Sequence, residues 1–97
     1  MLFMDDLSFV IRDINPVAPI HLLIIPIEHV TDISTSSQDQ FDLLSHLMMV
    51  AKRMVDRHKD LTDNGWRLVI NQGRFSGQEI PHLHLHILGG QKLGPIA

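Results

Sequence analysis

Pro81-His82-Leu83-His84-Leu85-His86-Ile87 sets three imidazoles on alternate residues near the C-terminal end of the chain. A β-strand sends successive side chains to opposite faces. In a strand, His82, His84 and His86 therefore share one face, and Leu83, Leu85 and Ile87 share the other. Same-face neighbours stand roughly 6.5–7 Å apart. The apolar row can bury in a core while the imidazole row lines a site. Packing alone does not explain the cluster, because each imidazole brings a donor and an acceptor that need partners once buried. Unperturbed imidazole titrates near pH 6.5. Much of it is neutral at pH 7, where it attacks phosphorus and later departs, splitting one displacement into two easier ones. Two other readings remain: a structural strand with solvated histidines, and a zinc site built on alternating strand histidines. The run holds no acidic residue to balance a divalent ion, which ranks the metal below phosphorus chemistry.

The elements that must position this row are legible from pattern. Leu7 to Ile11 reads as a strand, with Leu2-Phe3 as a short strand before an Asp5-Asp6 turn. Pro16 takes the chain out of the sheet, since proline has no ladder donor. Ile20 to Ile25 is apolar and β-branched, as expected of a strand buried on both faces, and Pro26 ends it. Ser37 and Gln40 form a capping-box pattern opening a helix over about 38–58. Its apolar stripe is Phe41, Leu44, Leu47, Met48, Ala51, Met54 and Val55. Met48, Met49 and Met54 read as core filler. Asn64-Gly65 marks a turn, Trp66 to Asn71 a strand, residues 72–77 a loop, and Glu79 to Leu88 the histidine strand. Strands on either side of one long helix predict an α+β class: a mainly antiparallel sheet with one long helix packed on it. Ninety-seven residues suit a single domain, 1–97.

The histidine run, with Arg12-Asp13-Ile14-Asn15-Pro16-Val17-Ala18-Pro19, His21-Leu22-Leu23-Ile24-Ile25-Pro26 then His29, Asn71-Gln72-Gly73 and Gly77-Gln78, resembles the histidine triad (HIT) superfamily. The likeness runs from about Phe3 to Pro95. Gly89-Gly90 and Leu93-Gly94-Pro95 make it most similar to the bacterial type of the histidine triad nucleotide-binding (Hint) branch.

The resemblance implies a purine nucleoside phosphoramidate hydrolase acting through a nucleotidyl-histidine on His84. His86 would bond a phosphate oxygen or protonate the leaving group. His82 would fix tautomer and ring orientation, and His21 would support from a neighbouring strand. Asp13 would accept from ribose hydroxyls, Asn71 would donate to phosphate, and Gly77, Gln78 and Glu79 would offer backbone N–H groups. Ile11 and Ile14 would flank the base. Bland alternatives stand beside these: a satisfied strand histidine for His21, turn residues for Asp13, Asn71 and Gly77, and core packing for Ile11 and Ile14. Dinucleoside polyphosphate hydrolysis, nucleotidyl transfer, or a catalytically weak nucleotide-binding or interaction module are the alternative functions. Glu79 stands where several relatives place a serine or threonine that approaches phosphate. Either its carboxylate turns away or it alters substrate choice. His29, His46 and His58 are assigned no catalytic role, and Arg74 reads as a solvated loop charge. The resemblance also implies a homodimer of two associated sheets. Relatives carry a further short helix before the position of Met1 and often a longer C-terminal segment. Some of them have a tryptophan near the position of Pro95.

Composition narrows the partners. A net charge of −3 offers no basic field for nucleic-acid backbones, though a mononucleotide remains open to local chemistry. The absence of cysteine excludes disulfides and thiolate metal sites, including the cysteine-containing zinc site of some family members. No cofactor and no metal are expected. No apolar run reaches membrane-spanning length, and the N-terminal residues lack a basic signal-peptide region, so a cytoplasmic protein without a membrane partner is expected.

Overall fold

The computed structural model describes residues 1–30, 33 and 37–96. Five strands form one sheet: β1 (Phe3–Met4), β2 (Ser8–Arg12), β3 (Ile20–Pro26), β4 (Trp66–Ile70) and β5 (Leu85–Gly89). Their spatial order is β1-β2-β3-β5-β4. Every neighbouring pair is antiparallel, as the α+β expectation requires. β3 and β5 occupy the middle, so the apolar 20–26 run and the second half of the histidine run lie side by side. Burial of β3 extends to both faces, since Leu22 and Leu23 are both buried.

Helix α1 (Gln38–Val55) begins where the capping pattern places it, with Ser37 Oγ accepting from the Gln40 N–H. It ends three residues sooner than the periodicity predicts. The N–H groups of Arg57 and His58 turn to the carbonyls of Met54 and Val55, three residues back, which tightens the last turn. His58 is extended and opens a short second helix, α2 (Lys59–Asn64), absent from the sequence reading. Leu61 is the reason for that helix: it is fully buried, against β5. A Cβ on Gly89 would stand 2.3 Å from Leu61 Cδ2, so any larger residue there would have to displace the buried Leu61 side chain.

The core lies between one face of the sheet and the two helices. Val10, Leu22, Ile24, Leu85 and Ile87 meet Leu47, Val50, Ala51, Met54, Val55 and Leu61. The helical stripe is rotated from the expected one. Val50 is buried, whereas Phe41, Met48 and Met49 are 53%, 48% and 44% exposed. Of the three methionines, only Met54 fills the core. Phe41 and Met48 sit two turns apart along one flank of the helix, and that flank turns away from the sheet. Among the described residues, no helix is long and apolar enough to cross a membrane.

Candidate functional site

Strand register separates the two rows of the histidine run. Leu22 pairs with Ile87 and Ile24 with Leu85 on the core face; Leu23 pairs with His86 and His21 with Leu88 on the face away from α1. β4 continues the second row, with Val69 opposite His86. The strand is shorter than expected: β5 starts at Leu85, so His82 and His84 precede it. Pro81 has no donor for a ladder. The His82 N–H bonds the Ile80 carbonyl, and the Leu83 N–H reaches the Val30 carbonyl at 2.6 Å. The alternation survives without the ladder, because Leu83 joins Leu85 and Ile87 in the core.

Hydrogen bonds settle which ring nitrogen carries each proton. The Val17 N–H donates to His21 Nδ1 at 3.1 Å, so in neutral His21 the proton is on Nε2. That Nε2–H has two acceptors, His86 Nδ1 at 2.9 Å and Asp13 Oδ2 at 3.4 Å. His86 therefore accepts at Nδ1 and carries its proton on Nε2, a buried donor with no partner among the described residues. His84 Nδ1 donates to the His82 carbonyl at 2.7 Å. Its Nε2 holds the free lone pair. The rings of His84 and His86 are 4.8 Å apart, tilted at 62°. One imidazole thus presents a lone pair beside another that presents a hydrogen.

The same logic explains His82, which does not line the cleft. Its Nε2–H donates to the Pro26 carbonyl at 3.1 Å, leaving Nδ1 to accept from His29 Nδ1–H at 3.1 Å. His29, which the sequence reading assigns no catalytic role, is thus the hydrogen-bond partner of His82. Its signals were a position just past the end of β3 and its place in the block that carries the family resemblance. His46 and His58 lie elsewhere: His46 bonds Asp5 at 2.8 Å, and His58 opens α2.

Charge on His86 and His21 is held down. Burial pushes the His86 pKa down to about 4, helped by the neighbouring His84 and His21 and opposed by Asp13. Burial also lowers His21, with Asp13 pulling the other way. At neutral pH both are uncharged hydrogen-bonding groups.

His84, His86 and His21 open onto a cleft of about 690 Å³ on the sheet face opposite the helices, within the size range of small-ligand sites. Asp13, Asn71, Gly77, Glu79, Ile11 and Ile14 line it too. Asp13 Oδ1 accepts from the Asn15 N–H at 2.8 Å. Ile14 is 91% exposed at the cleft edge, outside the core. Gly77 takes the left-handed conformation, but its N–H is spent on the Arg74 carbonyl at 3.3 Å. Gln78 is not on the lining. Its side chain braces the loop, accepting from the Gly73 N–H and donating to the Ile80 carbonyl. Among the described residues the Glu79 N–H has no acceptor, and so remains available. The guanidinium of Arg74 stacks on exposed Phe75, away from the cleft lining. Val69, Leu23 and Ile80 also line the cleft; strand order brings the first two there, and sequence spacing does not reveal it.

Asp13, His21 and His86 each offer a ligand atom within 4.8 Å of the others, enough for a three-ligand metal site. The hydrogen bonds above already occupy the nitrogens of that group that face each other.

The model of the HIT domain family matches residues 1–93, and the chain belongs to that family. It is 36% identical over 96 residues to the purine nucleoside phosphoramidase of Escherichia coli (strain K12), covering 99% of this chain and 80% of the relative. A HIT family hydrolase from Legionella pneumophila Philadelphia 1 superposes with a TM-score of 0.88 at 40% identity, over 95% of this chain and 81% of the other. A histidine triad protein from Clostridium difficile gives 0.89 at 35% identity, over 98% and 82%.

Proposed function

We propose that the protein hydrolyses purine nucleoside phosphoramidates through a covalent nucleotidyl-His84 intermediate. The observation that carries this is the fixed tautomer of His84: Nδ1 bound to the His82 carbonyl, with its Nε2 and the Nε2–H of the adjacent His86 both without a partner among the described residues. The similarity to a purine nucleoside phosphoramidase supports the choice of substrate.

In the first step the His84 Nε2 lone pair forms a bond to the α-phosphorus. The P–N bond breaks, and its electron pair leaves with the amine, which takes up a proton. In the second step water attacks phosphorus, the P–His84 bond breaks, and a nucleoside monophosphate departs with the oxygen from water. His86 donates its Nε2–H to a phosphate oxygen as the substrate binds and to the departing amine in the first step; its bared Nε2 then takes the proton lost by the attacking water in the second step. An anionic phosphate beside it favours its protonated form, so substrate binding reverses part of the effect of burial and equips it to supply the amine's proton. His21 and Asp13 hold the ring orientation of His86, and His82 with His29 supports that of His84. Asp13 has acceptor capacity left for a ribose hydroxyl, Asn71 and the Glu79 N–H can meet phosphate, and Ile11 and Ile14 offer an apolar edge to a base.

The test is steady-state hydrolysis of adenosine 5′-phosphoramidate at pH 7 without added metal. Wild type should release adenosine monophosphate, and His84→Ala should lose more than about 10³-fold in kcat while remaining folded. Equal rates in the two proteins overturn the proposal.

A further inference from the structure

Among the described residues, three charged side chains line the cleft: Arg12, Asp13 and Glu79. One guanidinium faces two carboxylates, so these three side chains sum to one negative charge. That is an unfavourable balance for an anionic phosphate. Asp13 is engaged by the Asn15 N–H and by His21. Glu79 differs, being exposed and, among the described residues, without a hydrogen bond or ion pair to its carboxylate. It sits in the loop that leads into the histidine run and shares the cleft with His84 and His86.

A lone carboxylate bordering a phosphate site repels a leaving group that is itself anionic. It attracts one that carries a positive charge. We propose that Glu79 determines specificity by selecting phosphoramidates whose departing amine bears a second, cationic group, and by disfavouring polyanionic leaving groups. This rests on the phosphoramidate reading above and extends it to the chemistry of the amine. It also predicts that dinucleoside polyphosphates, with their anionic leaving groups, are the poorer substrate class. An exposed carboxylate acts through partly screened Coulomb attraction, so the preference should be modest and should shrink as salt is added.

The experiment compares two adenosine monophosphate amidates that differ only at the far end of the amine: the mono-amidate of 1,4-diaminobutane, with a terminal ammonium, and the amidate of butylamine. Wild type should favour the diaminobutane amidate about five-fold in kcat/KM at low ionic strength, and Glu79→Gln should bring that ratio near one. Comparing the two substrates on one protein cancels any general effect of the substitution. A ratio near one in wild type, or an undiminished preference in Glu79→Gln, overturns the proposal. If wild type turns over neither amidate, the hydrolase reading fails separately. Calorimetric affinities of the same two amidates for both proteins then decide the role of Glu79 by the same ratio.

Discussion

His84 Nδ1 lies 2.7 Å from the backbone carbonyl of His82, which makes the first histidine of the run a support for the second. The side chain of His82 anchors that carbonyl by bonding the end of β3 at Pro26 and by accepting from His29. The tautomer of His84 is thus fixed by backbone geometry that two side chains outside the cleft maintain.

Removing those side chains should slow chemistry more than it weakens binding. His82→Ala keeps the carbonyl and loses its anchor. We expect a loss on the order of ten-fold in kcat with KM within about two-fold, since misplacement of a reacting group costs rate. His29→Ala should show a smaller effect of the same kind. Steady-state kinetics of both variants check this, and a rise in KM at constant kcat would assign the pair to binding instead.

Acid should destabilise the protein through His86. Its folded-state pKa of about 4 lies below the unfolded value near 6.5. Between these pH values the unfolded chain binds more protons, so stability rises with pH there and is lost as pH falls from about 6.5 toward 4. Urea unfolding from pH 7 to 4 should show this slope, and His86→Asn should flatten it. An equally steep slope in the variant would place the titrating group elsewhere.

Asp5 adds a second, more acidic window. Desolvation raises its pKa, but bonds from the Leu7 N–H, His46, and the Ser8 hydroxyl and N–H outweigh that and bring it to about 2. Its contribution is therefore present above the unfolded value of 3.8 and is lost as pH falls toward 2. Asp5→Asn should cost about 1–2 kcal/mol at pH 7, measured by the same unfolding experiment.

The Gly89–Leu61 contact should be sensitive to a single methyl. Gly89→Ala is expected to cost about 1–3 kcal/mol through overpacking, because its Cβ would overlap Leu61 Cδ2. Leu61→Ala alone leaves a cavity costing about 2–5 kcal/mol. The double variant should cost less than the sum, since the added methyl enters the space vacated. Strict additivity would show that the two residues do not share that space.

The alternation of the histidine run announced its core face, because Leu83, Leu85 and Ile87 bury as a strand's apolar row does; of the imidazoles it set opposite, His84 and His86 line the cleft and His82 does not. Ser37 and the apolar 20–26 run were legible for similarly local reasons. What the sequence concealed depends on contacts between distant segments. The partnership of His29 and His82 spans 53 positions and has no local signature. α2 is too short for periodicity to show, and Leu61 alone explains it. The orientation of α1 was misjudged because Phe41 and Met48 fit a helical stripe as well as Val50 does; only the seat of the helix on β3 and β5 decides which residues face the sheet. The early end of the ladder at Leu85 reflects Pro81 and the Leu83–Val30 bond, the second of which no spacing rule contains.

Trapping the intermediate tests the central claim most directly. The protein should be mixed with adenosine 5′-phosphoramidate, quenched within a turnover, and analysed by intact mass and peptide mapping. A nucleotidyl adduct on His84 in wild type, absent from His84→Ala, is the expected result. Turnover with no adduct on His84, or an adduct that persists in His84→Ala, would contradict the account.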